Sequence, residues 1–298
     1  MYRFQLVLML VPYLAGLALL YVVPALLAAG VAFTDFDALS PPRWIGLDNF
    51  RRMLQDDEFW NGLRASVVFV VLAVPLRVAG ALGLALLLYR SCRGVTFARA
   101  AVYLPTVVPD VAYALLWLHI FNPLYGPLNG LMVLFTGSFD GTVPGSARPT
   151  GWLLDPTAAQ IAVVVMLAWT IGEGFVLLMA ALQDVPRELH ESAAIDGAGA
   201  WQRFSLLTLP LLAPFLLLLA IRSTIWSFQA NFVAAVIVTR GGPYYATSYL
   251  PYWIYLNAAE YQRFGYAAAM MLVMLVATGL IVALQVGASQ RWRAASVA

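Results

Sequence analysis

Long apolar runs alternate with short polar segments along the whole chain. Crossing the roughly 30 Å hydrocarbon layer takes about 20 helical residues. Six runs reach that length, at about 5–33, 66–89, 101–121, 159–182, 206–238 and 264–287. The fifth is too long for one simple crossing, and Pro210 and Pro214 stand near its start. Its first part is expected to lie at the interface or to form a kinked approach to the membrane. The intervening segments differ in character. Residues 34–64 hold Trp44 and Trp60, candidate interfacial anchors. Residues 90–100 hold Arg90, Arg93 and Arg99 and no acid. Residues 122–158 are rich in Gly, Pro and Asn, and residues 239–263 open with TRGGPYYATSY. Residues 183–205 are small, charged and punctuated by glycine. With no internal repeat, the pattern predicts an all-α, polytopic transmembrane bundle forming one domain over 1–298.

Composition strengthens that reading. The chain is 62% hydrophobic and 11% charged, against roughly 25% charge in soluble domains. A soluble protein of this length could not hide so much apolar surface. A net charge of +2 argues against a nucleic-acid partner. All 17 basic residues are Arg, which reads as genome composition, and the single cysteine, Cys92, allows no intrachain disulfide. The first apolar run far exceeds the roughly 7–15 residues of a signal-peptide core, so it is retained as a transmembrane helix. With both termini cytoplasmic, inside segments hold eight Arg: Arg3, Arg90, Arg93, Arg99, Arg187, Arg203, Arg291 and Arg293. The outside segments hold seven: Arg43, Arg51, Arg52, Arg64, Arg148, Arg240 and Arg263. The outside segments are longer, so Arg density favours both ends inside. That orientation puts residues 183–205 in the cytoplasm.

Within this segment Asp184 is expected to cap a helix, with Pro186 in its first turn and Glu188 near the positive end of the dipole. RELHESAAIDGAGA then forms a short helix that Gly197 and Gly199 end or bend. A second short helix is expected from Ala200 to Thr208, before Pro210. Such a pair is either an interfacial hairpin joining two spans or a docking element whose small side chains admit another surface.

The residues ESAAIDGAGAWQRFSLLTLPLLAP resemble the "EAA" loop of ABC importer membrane subunits. The positions that carry the resemblance are Glu191, Ala193, Asp196, Gly197, Ala198, Trp201, Phe204, Leu209 and Pro210, with Ser192 where Ala is usual. WIGLDNFRRML (44–54), the stretch 103–132 and VTRGGPYYATSYLPYWIY (238–255) are similar to other segments of the carbohydrate-uptake branch. The resemblance implies a type I ABC importer permease fold of about six spans, with a cytoplasmic coupling loop at about 184–208. It implies contact with an ATPase through Glu191, Ser192, Ala193, Asp196, Gly197 and Ala198. The implied partners are a homologous second permease forming a heterodimer, an ABC ATPase dimer holding ATP and Mg, an extracytoplasmic binding protein, a sugar or oligosaccharide, and the bilayer of a bacterial or archaeal cell membrane. Glycerol phosphate is the alternative cargo. The chain itself carries no G-x-x-x-x-G-K-[ST] phosphate loop, so no cofactor and no catalysis are assigned to it.

Charge inside hydrocarbon is costly, and Arg77, Asp110, Glu173 and Arg222 fall within the apolar runs. An aromatic ring with a nearby carboxylate suits a sugar. Trp169 precedes Glu173 by four residues, which on one helix shares a face. Thr224, Ser227, Phe228 and Asn231 share a face of the fifth run. The resembling permeases bind substrate in these two spans, which nominates Trp169, Glu173, Thr224, Ser227, Phe228 and Asn231 for the pathway. The same pattern is expected of polar residues joining helices. A carboxylate there disfavours an anionic cargo. With His119 and His190 its only histidines and no H-E-x-x-H, the chain lacks the motifs of an intramembrane metalloenzyme. A secondary transporter without an ATPase is the remaining alternative.

Overall fold

A computed structural model describes residues 2–90, 92–136 and 151–297. Arg148 lies outside the described residues, as do the side chains of Arg3, Arg291 and Arg293. The helices, in chain order, are α1 (Tyr2–Leu17), α2 (Val23–Val31), α3 (Asp48–Leu54), α4 (Asp57–Leu88), α5 (Val95–Tyr103), α6 (Asp110–Ile120) and α7 (Pro127–Thr136). They continue as α8 (Pro156–Ala168), α9 (Gly172–Gln183), α10 (Arg187–Ile195), α11 (Ala200–Arg203), α12 (Leu209–Val233), α13 (Leu250–Tyr255) and α14 (Phe264–Val297). Among the described residues no strand forms; one isolated bridge joins Thr34 to Trp44.

Four spans are continuous: Met9–Val31, Asp57–Leu88, Ala200–Thr239 and Phe264–Gln290. The third and fourth, read from sequence as single runs, are each broken. α5 and its 3-10 extension meet α6 at 104°, and α8 meets α9 at 46°. The first break follows from proline. Val108 is extended before Pro109, as a residue preceding proline tends to be, and Asp110 then opens α6 at the positive end of its dipole. The second break contains no proline.

The fifth span corrects the expectation of a separate second loop helix. α11, a π turn at Phe204–Thr208 and α12 run on as part of one helix of 40 residues, Ala200–Thr239. Proline lacks the N–H that a helix would use and crowds the carbonyl four residues back. A π turn widens the helix at that point. The same solution recurs in the first span, where a π turn at Ala18–Val22 ends two residues before Pro24.

The chain divides into two compact units. The first is Met1–Trp60 with Leu250–Val276. Here the Asn49 amide donates to Ala32 O (2.8 Å) and Thr34 O (2.9 Å), tying α3 to the end of α2. The Asp56 carboxylate accepts from Trp253 Nε1 (3.2 Å) and Tyr266 OH (2.5 Å). Trp44, expected as an interfacial anchor, stacks on Phe33 at 5.5 Å. Asp37 accepts from the backbone and hydroxyl of Ser40 and the backbone of Leu39, which holds its carboxyl below the usual range.

The second unit is Asn61–Tyr249 with Ala277–Ala298. Its core joins Ala81 and Ala85 of α4, Phe175, Leu178 and Leu182 of α9, and Leu212 and Leu219 of α12. Between lipid-immersed helices the attraction is van der Waals packing, which favours small residues at crossings. A Cβ on Gly172 would lie 2.9 Å from Tyr103 Cα and Val102 O, so glycine lets α9 meet α5 backbone to backbone. At Gly174 the missing side chain makes room for the Leu219 side chain of α12, whose Cδ1 would lie 2.8 Å from a Cβ there.

Candidate functional site

The polar loop is built differently at its start than expected. α10 begins at Arg187 with Pro186 as its N-cap residue and no side chain capping it. Asp184 instead closes α9 as its C-cap residue. Glu188 lies in the first turn of α10, where the dipole favours an acid. The end of α10 follows glycine chemistry. Ala198 N donates to Ala193 O (2.9 Å) and Gly197 N to Ala194 O (3.1 Å), the two bonds of a Schellman cap. That cap requires the left-handed conformation at Gly197, whose φ is +82°. The chain then turns at Gly199, whose N–H donates to the Gln202 side chain at 2.8 Å, and enters the 40-residue helix. The loop is therefore one short helix hinged directly onto a membrane span.

Its surface is open. Glu191, Ser192, Asp196 and Gly197 are exposed, and Ala193 and Ala198 are partly buried. Ser192 Oγ donates back to Leu189 O at 3.2 Å, so the serine presents little more than an alanine would. Ile195 is 86% exposed and Trp201 74% exposed. Apolar side chains displayed this fully beside small residues suit a protein contact. Glu191 also borders a cleft of about 420 Å³ with Arg187, His190, Tyr89 and Val185.

The intramembrane candidates do not gather as predicted. Trp169 closes α8 and Glu173 opens α9, across the 46° break. The four-residue spacing therefore does not put them on one helical face. Trp169 turns toward α6, with its ring 6.4 Å from Trp117, and borders apolar cavities of about 530 and 380 Å³. Thr224, Ser227, Phe228 and Asn231 do share one face of α12, but they are buried within the chain. Thr224 donates to Ala220 O (2.9 Å) and accepts from Gln285 Nε2 (2.7 Å). Ser227 Oγ and both amide atoms of Asn231 are buried without a partner among the described residues.

What the structure does bring together is charge. Glu173 Oε2 lies 2.5 Å from Arg222 Nη2, and the two side chains are 46% and 57% exposed. Arg77 is close enough to act on both charges. It is 7% exposed, and its guanidinium donates to Leu167 O (2.9 Å), Thr170 Oγ1 (3.0 Å) and Thr170 O (3.1 Å). The ring of Trp226 lies 3.9 Å beneath it. Two of these bonds go to carbonyls at the break, Leu167 O and Thr170 O, so the guanidinium bridges a break that contains no proline. Sequence reasoning flagged Arg77, Glu173 and Arg222 one by one, but not that Glu173 and Arg222 pair across 49 positions, nor that Arg77 reaches Leu167 90 positions away. A charge at mid-span costs about 2.5–3.5 kcal/mol on insertion scales, so an exposed ion pair at this depth belongs against water, ligand or protein. Asp110 is exposed in the first turn of α6. Among the described residues no group of three or more His, Cys, Asp or Glu is placed to hold a metal ion.

Comparison with known proteins agrees with this architecture. Residues 78–294 match the family described as "Binding-protein-dependent transport system inner membrane component". The chain is 33% identical to a probable ABC transporter permease of Bacillus subtilis, covering 94% of this chain and 89% of the relative. It is 31% identical to a trehalose/maltose transport system permease of Thermococcus litoralis, covering 95% and 94%. It is 33% identical to an sn-glycerol-3-phosphate transport system permease of Agrobacterium fabrum, covering 81% and 79%. A solved bacterial ABC transporter that imports the acidic polysaccharide alginate contains a chain of the same fold, with a TM-score of 0.80 at 21% identity, covering 97% and 96%. Its fold is that of an ABC importer permease, and the chain belongs to the family of binding-protein-dependent transport system inner membrane components.

Proposed function

We propose that this permease moves a sugar or oligosaccharide into the cytoplasm by alternating access, driven by a separate ATPase dimer that docks on α10 and the Gly197 hinge. The observation that carries the proposal is the continuity of the second loop helix with span five. A push on α10 acts, through the Schellman cap and Gly199, on a helix that runs unbroken from Ala200 to Thr239. Only residues 196–199 join the two, and the cap bonds together with the Gly199 N–H bond to Gln202 fix their conformation. Glu191, Ser192 and Asp196 supply exposed polar contacts, Ile195 and Trp201 supply exposed apolar ones, and Ala193 and Ala198 keep the approach close.

The remaining parts follow from this reading. ATP and Mg reside on the ATPase. A second, homologous permease stands across the translocation pathway from the polar face that holds Glu173 and Arg222, a binding protein delivers cargo outside, and both termini face the cytoplasm. The relative named for trehalose/maltose transport supports a sugar cargo. The relative named for glycerol phosphate supports the alternative. Affinity purification of the tagged chain, co-expressed with its genomic neighbours, tests the assignment. An ABC ATPase is expected in stoichiometric amount from the unmodified chain and is lost on Trp201→Asp. A purified complex with no ATPase refutes the proposal.

A further inference from the structure

Pairing Glu173 with Arg222 alters what the polar face offers a ligand. A lone carboxylate repels anions, but this one is engaged. The contact recorded between them runs from the guanidinium Nη2 to one carboxylate oxygen. Arginine carries five N–H donors in a planar fork. Among the described residues no other acceptor meets those of Arg222, and the side chain is 57% exposed. The helix runs from Ala200 to Thr239, which places Arg222 within about 4 Å of its midpoint at 1.5 Å per residue. Open donors at that depth need water, protein or a ligand.

The neighbouring charge points the same way. Arg77 lies within Coulombic range of both partners, and its Nη1 and Nη2 groups donate to Leu167 and Thr170. Two arginines and one glutamate leave the group with a charge of +1. Arg77 is buried, so the excess is presented to a ligand through Arg222. Glu173 holds the guanidinium in place while leaving most of its fork open. A planar fork of this kind matches a carboxylate or phosphate in a bidentate pose.

Resting on the reading that this face lines the pathway, we propose that Arg222 is an anion-binding, specificity-determining residue for transport. Its ligand is the carboxylate of a uronic sugar or the phosphate of a polyol phosphate. Glu173 orients it and accepts neighbouring hydroxyls of the same substrate.

The test uses the complete importer in proteoliposomes with its own binding protein. That protein is first screened against trigalacturonate, glycerol 3-phosphate and maltotriose. Retention of trigalacturonate identifies a carboxylate source and retention of glycerol 3-phosphate a phosphate source. Retention of maltotriose alone overturns the proposal. With the anionic probe, Arg222→Gln is expected to raise the apparent KM about tenfold or more, as befits a lost pair of charge-assisted bonds. Arg222→Lys, a cation without the fork, should fall between. Glu173→Gln, which keeps an acceptor oxygen for the substrate hydroxyls but loses the charge that orients the guanidinium, should raise the apparent KM less than Arg222→Gln and leave the maximal rate intact. A purely structural ion pair instead predicts that both glutamine variants lose uptake together, and that result also overturns the proposal. ATP-dependent uptake of any solute by the unmodified importer reads the importer assignment separately.

Discussion

Replacing Arg77 with methionine removes the donors that hold the break in span four while keeping an apolar side chain of similar length. Three bonds are lost, two from Nη1 and one from Nη2. Leu167 O keeps a partner, because the Thr170 hydroxyl also donates to it at 2.9 Å. Thr170 O, which is partly buried, loses the donor it has from Arg77, a cost toward the lower end of the roughly 1–3 kcal/mol for an unsatisfied buried carbonyl. The contact over Trp226 adds roughly 1–2 kcal/mol for a desolvated cation on an indole ring. Against these stands the relief of not burying a guanidinium. Replacing a whole buried ion pair with apolar residues is often neutral, because both charges leave together. Here the acceptors are backbone carbonyls and stay behind. The net expectation is a loss of about 2–4 kcal/mol. Unfolding of the detergent-purified permease complex, followed by intrinsic tryptophan fluorescence, measures it. Arg77→Lys keeps the charge but reaches fewer acceptors and should lose less. A methionine variant as stable as the unmodified protein would refute the assignment of Arg77 as the clamp of the break.

Other substitutions test other joints. Gly172→Ala sets a Cβ 2.9 Å from backbone atoms of Tyr103 and Val102, and overpacking of this kind costs about 1–3 kcal/mol. The same unfolding assay checks it, and full stability would show that α5 and α9 do not meet so closely. Asn231→Leu replaces a buried amide that has no partner among the described residues. Stability should hold or rise, since an unsatisfied buried polar group costs about 1–3 kcal/mol; a clear loss would reveal a hidden partner. A Cβ on Gly197 would meet nothing within 4 Å, so the effect expected of Gly197→Val is backbone strain at φ +82°, about 1–2 kcal/mol. Transport in proteoliposomes should fail while the subunits still assemble, and normal uptake would remove the hinge from the coupling route.

Spans one, two, five and six were legible because a continuous apolar run needs no partner to be helical. The break in span three also left a mark, the pair Pro105 and Pro109. The break in span four left none. It depends on Arg77 reaching residues 90 and 93 positions away, and spacing along a chain says nothing about such a reach. The pairing of Trp169 with Glu173 failed for the same reason, since four residues mean one face only while the helix is unbroken. The loop read well where local chemistry governs it, at Gly197, and less well at Asp184, where α9 runs long enough to claim the residue as its own cap. Pro210 suggested a separate loop helix, yet the π turn before it keeps the span continuous. The buried face of Thr224, Ser227, Phe228 and Asn231 was found correctly as a face. Whether such a face meets substrate or a neighbouring helix depends on tertiary packing, and here it packs within the chain.

The most direct test of the central claim is uptake of the cognate solute by proteoliposomes holding this permease, its partner permease and the ATPase. Uptake should require ATP on the ATPase side and the binding protein on the other. It should persist when ionophores collapse every ion gradient. Uptake that continues without the ATPase and vanishes with the ionophores would contradict the account and identify a secondary transporter.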